Sequence, residues 1–388
     1  MVASTPRLLS SHAGRSPLFG RDDVLHQNVL ENTSSNTTDS SLEDDLTLDL
    51  VLPLIDIDFA TPSPLMRISD ASAAKPDWFL APETWKISHR VDHPDAGPIG
   101  NVPIKNYMAV LQSWFDRWVA TASCPFIHAH LYRTNFPACV QVAYTTLASY
   151  YHRTGANKEI IFRIVEERCT DLLQENGAVL NVVGSDEWVD EEEKQVDLFE
   201  QLARLHALLV YQIIGLLDGD IRARHIAEGR IAVQRSWNAK LLRSAADAKS
   251  ITHTAATHLV GSLLRYTTHS QQQWYLWILS ESIRRTWLVA ASLASVYLAL
   301  QQRWSICPGF IMYTNRNGLW DAGTATEWEK QCLKKNVQFF QRFNCAKLFT
   351  ELKPTDIDDF GTAMLDMTFN KDLLEVWRNK SNDIRHSE

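Results

Sequence analysis

Residues 271–303 read QQQWYLWILSESIRRTWLVAASLASVYLALQQR, and the understanding of that stretch decides the fold. Its most apolar run, Trp287 to Leu300, carries no charge and is bounded by Arg284-Arg285 on one side and Gln301-Gln302-Arg303 on the other. A helix that crosses a bilayer needs roughly twenty apolar residues, and this run falls short. The stretch therefore reads as a core helix, either one long helix or two joined at a kink. Three charges interrupt it: Glu281, Arg284 and Arg285. Glu281 and Arg285 stand four apart with the acid on the N-terminal side, the favourable order for a helical ion pair. If the cluster is buried it must be paired, because an uncompensated interior charge costs several kcal/mol. It is then either an internal structural network, the preferred reading, or an anion-binding effector site.

Outward from this stretch the helical pattern continues. Leu111, Trp114, Phe115, Trp118 and Val119 fall on one helix face, with Cys124-Pro125 as the stop. Pro137 is placed to open a second helix through Val140, Ala143, Leu147 and Tyr150, which Gly155 would close. Asn157 can cap a third, with Ile161, Ile164, Val165 and Leu172 on its apolar side and Gly177 beyond. Leu202, Leu205, Leu208, Leu209, Ile213 and Leu216 form an unbroken apolar face that Asp218-Gly219-Asp220 ends. A weaker segment covers 223–246. Thr324 and Glu327 match a capping box that opens a helix with Trp328. No alternating strand pattern of useful length follows residue 100. These features predict an all-α fold, a large multi-helix bundle over 101–380.

The first hundred residues differ. Ser, Thr, Asn and Asp dominate 32–45, and Pro and Gly recur over 53–100, the composition of a disordered arm. Within it, 41–60 (SLEDDLTLDLVLPLIDIDFA) interleaves acids with Leu, Ile, Val and Phe and has no basic residue. That is the makeup of an activation-type segment, or of a strand or lid docking on its own domain. Residues 1–21 carry Arg7, Arg15 and Arg21 and no acid, as a mitochondrial leader does, but Pro6, Gly14, Pro17 and Gly20 break any amphipathic helix there. The acid-rich run 184–194 reads as a solvated loop.

A net charge of −8 over 388 residues argues against broad capture of nucleic acid, which rests on many Lys and Arg contacts to phosphate. Direct DNA binding is not expected from composition, nor is a membrane span. The six cysteines are scattered with no Cys-x-x-Cys, so neighbours in sequence cannot build a zinc site, and reduced thiols are expected.

Catalytic patterns are missing from the sequence: no Gly-x-Ser-x-Gly, no Gly-rich phosphate loop and no His-Glu-x-x-His. No catalytic residue, metal site or cofactor is expected, and the chain does not read as an enzyme. His128-Ala129-His130 is the nearest thing to a metal motif but needs a third ligand, for which His152 is the candidate closest in sequence. Packed or capping histidines are the default. His253 and His258, five apart, fall on different sides of a helix. The thirteen tryptophans read as packing residues.

Five stretches, in order, resemble the C-terminal regulatory region of fungal zinc-cluster transcription factors, especially those found with secondary-metabolite gene clusters. They are 126–149 (FIHAHLYRTNFPACVQVAYTTLAS), 202–228 (LARLHALLVYQIIGLLDGDIRARHIAE), 274–304 with its Glu-Ser-Ile-Arg-Arg-Thr core, 307–332 with GLWDAGTATEWEKQC, and 354–377. The resemblance implies a helical domain that regulates activity or association, and residence in the nucleus, with the cytoplasm as the alternative. The family's N-terminal zinc cluster of six closely spaced cysteines has no counterpart in these residues, so no zinc ligand carries over. The expected function is transcriptional regulation through protein contacts, with transcription machinery or zinc-cluster relatives as partners, in a homo- or heterodimer. The competing expectation is an all-α biosynthetic enzyme or small-molecule-binding protein.

Overall fold

The computed structural model describes residues 78–89, 101–178, 196–261, 267–305, 307–334, 339–340, 348–369 and 371–383. The acidic segment 41–60, the stretch 1–21, the loop 184–194 and Cys345 lie outside the described residues. All described residues belong to one compact unit.

The fold is all-α. Its organising element is α8, His269–Gln302, which follows α1 (Asn101–Thr121), α2 (Ala138–Tyr151), α3 (Lys158–Glu175), α4 (Leu198–Leu217), α5 (Ile221–Glu228), α6 (Ile231–Ala245) and α7 (Ala248–Thr254). After it come α9 (Ala325–Lys334), the short α10 (Leu348–Glu351), α11 (Asp359–Thr368) and α12 (Lys371–Asp383). Among the described residues the one sheet is a two-residue antiparallel pair, β1 (Tyr313–Thr314) with β2 (Phe339–Phe340).

Two helices are buried almost all round, which is what a helix apolar on every side requires. In α4 burial runs unbroken from Gln201 to Leu216, after the exposed Glu200 in its first turn. In α8 it runs from Leu276 through Ala290. The remaining helices wrap these two: α2, α5 and α6 pack on α4, while α1, α6 and α9 pack on α8. The helix α8 is continuous, not two pieces with a kink. It is long and apolar enough to cross a membrane, but 83% of its most apolar window is buried against protein, so it is the core helix of the bundle. It starts one turn earlier than its apolar pattern, at a complete capping box: Thr268 Oγ1 accepts from the Gln271 N–H at 3.2 Å, and the Gln271 side chain accepts from the Thr268 N–H at 2.8 Å.

The expected Thr324–Glu327 box is half made. Thr324 Oγ1 accepts the Glu327 N–H at 3.2 Å, whereas the Glu327 carboxylate takes the N–H of Gly323 instead of that of Thr324. The segment 223–246 divides at Gly229 into α5 and α6. Asp218 and Gly219 end α4 as expected, Gly219 taking φ +100°, a conformation that suits a residue without Cβ.

One part of the stretch that composition marks as an arm belongs to the body. Trp78–Leu80 and Pro82–Trp85 form two short 3₁₀ turns, with Phe79, Leu80 and Trp85 buried. Ser88 then pairs with Phe310, each N–H donating to the other's carbonyl at 2.8 Å. The density of large apolar side chains in that short piece outweighs its Pro-rich surroundings.

Candidate functional site

Near the middle of α8, Glu281, Arg284 and Arg285 are all fully or almost fully buried. Helical spacing brings them together: Arg285 Nε donates to Glu281 Oε1 at 3.2 Å, and Arg284 lies 3.9 Å from Glu281 Oε2. Their other partners come from distant parts of the chain. Arg285 donates to the Pro125 carbonyl at 2.8 Å, to the Thr314 carbonyl at 2.8 Å and to Asp358 Oδ2 at 2.5 Å. Its guanidinium also sits over the Trp320 ring, 4.1 Å from the centroid. Arg284 donates to the Phe79 carbonyl at 2.5 Å and to Thr84 Oγ1 at 2.7 Å, and lies 3.9 Å above the Trp85 ring. Glu281 Oε1 accepts the backbone N–H of Thr314 at 2.8 Å.

Two acids and two bases thus cancel formally. Burial pushes the Glu281 carboxyl above its usual range, with Arg285 and Arg284 pulling it back. Burial also lowers Arg284, to about 10. For Arg285 burial works against the charge, but Asp358 and Glu281 outweigh it and hold the guanidinium pKa above its ordinary value. Asp358 also caps α11, where its Oδ1 accepts the Gly361 N–H at 2.8 Å. The cluster therefore ties α8 to the 79–84 turns, the 124–127 loop, β1 and the start of α11. The Arg285 donors point at protein carbonyls and carboxylates and Arg284 donates to the Phe79 carbonyl and the Thr84 hydroxyl, a geometry that fits an internal clasp. The partners Asp358, Thr314, Phe79 and Thr84 are not apparent from sequence, because no local spacing relates them to α8.

The His128–His130 pair does not assemble a ligand set. His128 is buried with its ring edge-on to Trp274, Trp277 and Trp320, and its Nδ1 accepts the His130 N–H at 3.1 Å. Burial, reinforced by His130, lowers its pKa to about 3. His152 is the exposed cap of α2. Among the described residues no group of three His, Cys, Asp or Glu could hold a metal ion. His258 is engaged elsewhere, stacked on Phe199 and 2.7 Å from Asp197. His206, which no sequence motif marks, spans α4 and α8: Nε2 is 2.7 Å from Thr286 Oγ1, and Nδ1 is 2.5 Å from the Tyr132 hydroxyl. Its burial lowers its pKa to about 3.

Comparison with known proteins gives this helical body a context. The chain is 27% identical over 263 residues to a transcription factor, gsfR2, from Penicillium aethiopicum. The match covers 67% of this chain and 58% of that protein's length. The chain thus resembles a fungal protein named as a transcription factor over somewhat more than half of the latter's extent. No family model matches the sequence, and no solved structure matches it.

Proposed function

We propose that this chain regulates transcription, in the manner of the regulators that accompany fungal secondary-metabolite gene clusters, and that it works in the nucleus through contacts with other proteins. The observation that carries the reading is the 263-residue similarity to a protein named as a transcription factor. Charge supports the protein-contact part: at −8 overall, acids outnumber Lys and Arg, which disfavours broad capture of a duplex by its phosphates.

The test is a tethering experiment. The full chain is fused to an unrelated sequence-specific DNA-binding domain and placed upstream of a reporter in a fungal host. Reporter output changes at least threefold, upward for an activator or downward for a repressor. Output equal to that of the DNA-binding domain alone refutes the reading.

A further inference from the structure

Helices α3, α4 and α5 line a cavity of about 580 Å³ that is open to solvent on one side, within the size range of small-molecule sites. Much of its wall is apolar, formed by Phe162, Tyr211 and Ile226 among others. Arg230, at the start of α6, also lines it and is only 6% exposed. Its guanidinium donates to Thr170 Oγ1 at 3.1 Å and, at 3.5 Å, to the Glu166 carbonyl, while its Nε is buried without an acceptor. Among the described residues no carboxylate forms an ion pair with it.

That arrangement contrasts with the clasp on α8, where each buried guanidinium has an acid within reach. The acids around the cavity are mostly committed. Glu166 takes Arg222 at 3.1 Å, Asp220 caps α5 through the Ala223 N–H at 2.9 Å, and Lys158 is held by Asp218 at 3.2 Å. The exposed Glu159 is the remaining acid on the wall, and Arg163, also exposed, is a further lining cation without an ion pair among the described residues. A buried arginine with only neutral acceptors is costly, and an anion in the cavity would supply the missing charge.

We propose that this cavity binds a small organic anion, with Arg230 and Arg163 holding its acidic group and the Phe162, Tyr211 and Ile226 side chains covering an apolar body. The proposal goes beyond the transcriptional reading and does not depend on it.

The full chain is titrated with 8-anilinonaphthalene-1-sulfonate, whose fluorescence reports binding, and with N-phenyl-1-naphthylamine, which has the same rings and no sulfonate. The sulfonate occupies one saturable site and binds at least tenfold tighter than the neutral probe. Arg230→Gln weakens the sulfonate at least tenfold and brings the two probes within threefold of each other. Arg163→Gln, at an exposed position, weakens it about threefold with the melting temperature unchanged, and Ala223→Trp, which fills the cavity, abolishes both probes. Equal affinity for the two probes, or sulfonate binding indifferent to Arg163→Gln and Ala223→Trp, overturns the proposal whether or not Arg230→Gln folds. Either result leaves the reporter experiment unaffected.

Discussion

Replacing Arg285 with methionine removes the cation that the clasp is built around while keeping a side chain of similar length. Four hydrogen bonds disappear, to Glu281, Pro125, Thr314 and Asp358. Glu281 and Asp358 are left as buried carboxylates, with Arg284 as the remaining counter-charge at 3.9 Å from Glu281. Breaking one side of a buried pair costs about 3–5 kcal/mol, and an expected loss of about 4 kcal/mol is a large part of the ~5–15 kcal/mol that holds a typical domain. The pH dependence has a definite sign. Burial already raises the Glu281 carboxyl above its unfolded value of 4.5, and losing Arg285 raises it further. A raised carboxyl favours the folded state while it is protonated and loses that stability as pH climbs through its folded pKa. The deficit relative to the parent chain is therefore smaller at pH 5 than at pH 8. Urea unfolding followed by tryptophan fluorescence at both pH values measures it. The double variant Glu281→Leu/Arg285→Met recovers at least about 1 kcal/mol of the loss, since one stranded charge is gone. A cost under about 1 kcal/mol, or one identical at the two pH values, would refute the reasoning.

Arg285→Lys keeps the charge but loses the planar fork that reaches four acceptors, and is expected to cost at least half as much as the methionine in the same assay. Thr84→Val removes one acceptor of Arg284, whose Nη2 keeps the Phe79 carbonyl, and also the Thr84 hydroxyl's bond to the Ala81 carbonyl at 2.6 Å, with a loss of about 1–2 kcal/mol and faster hydrogen exchange over 79–89, read by mass spectrometry. His128 and His206, both held near pKa 3 by burial, stay neutral in the folded state from pH 8 to pH 5, and NMR of the two rings shows no titration there. A depressed basic pKa stabilises the fold above the unfolded value near 6.5 and forfeits that contribution as pH falls towards 3, so His206→Gln flattens the acid limb of the stability curve. At Gly215 an added Cβ would stand 2.6 Å from the Ala227 Cβ and 3.1 Å from the Ala223 carbonyl oxygen. Gly215→Val is thus expected to push α5 off α4 at a cost of about 1–3 kcal/mol, seen as a lowered melting temperature.

Much of the architecture is legible from periodicity. The faces of α1 to α4 are written as apolar residues three and four apart, and Glu281–Arg285 can be recognised as a helical pair because both members sit in one helix. What stays hidden depends on sequence distance. Asp358 lies 73 residues from Arg285, and Phe79 lies 205 residues from Arg284, separations that no local pattern encodes. Composition misassigns the 78–89 segment because its Pro-rich setting masks the weight of Trp78, Phe79, Leu80 and Trp85. The cavity beside Arg230 cannot be foreseen at all, since three helices must be placed before the space between them has a shape.

The clasp also sets an order of events during synthesis. Glu281, Arg284 and Arg285 leave the ribosome well before Asp358, so a nascent chain holds its longest apolar helix with a central charge still waiting for its acid. A chain that stops short of that aspartate lacks one of the two acids that pair with Arg285, and a buried charge left short of a partner is costly.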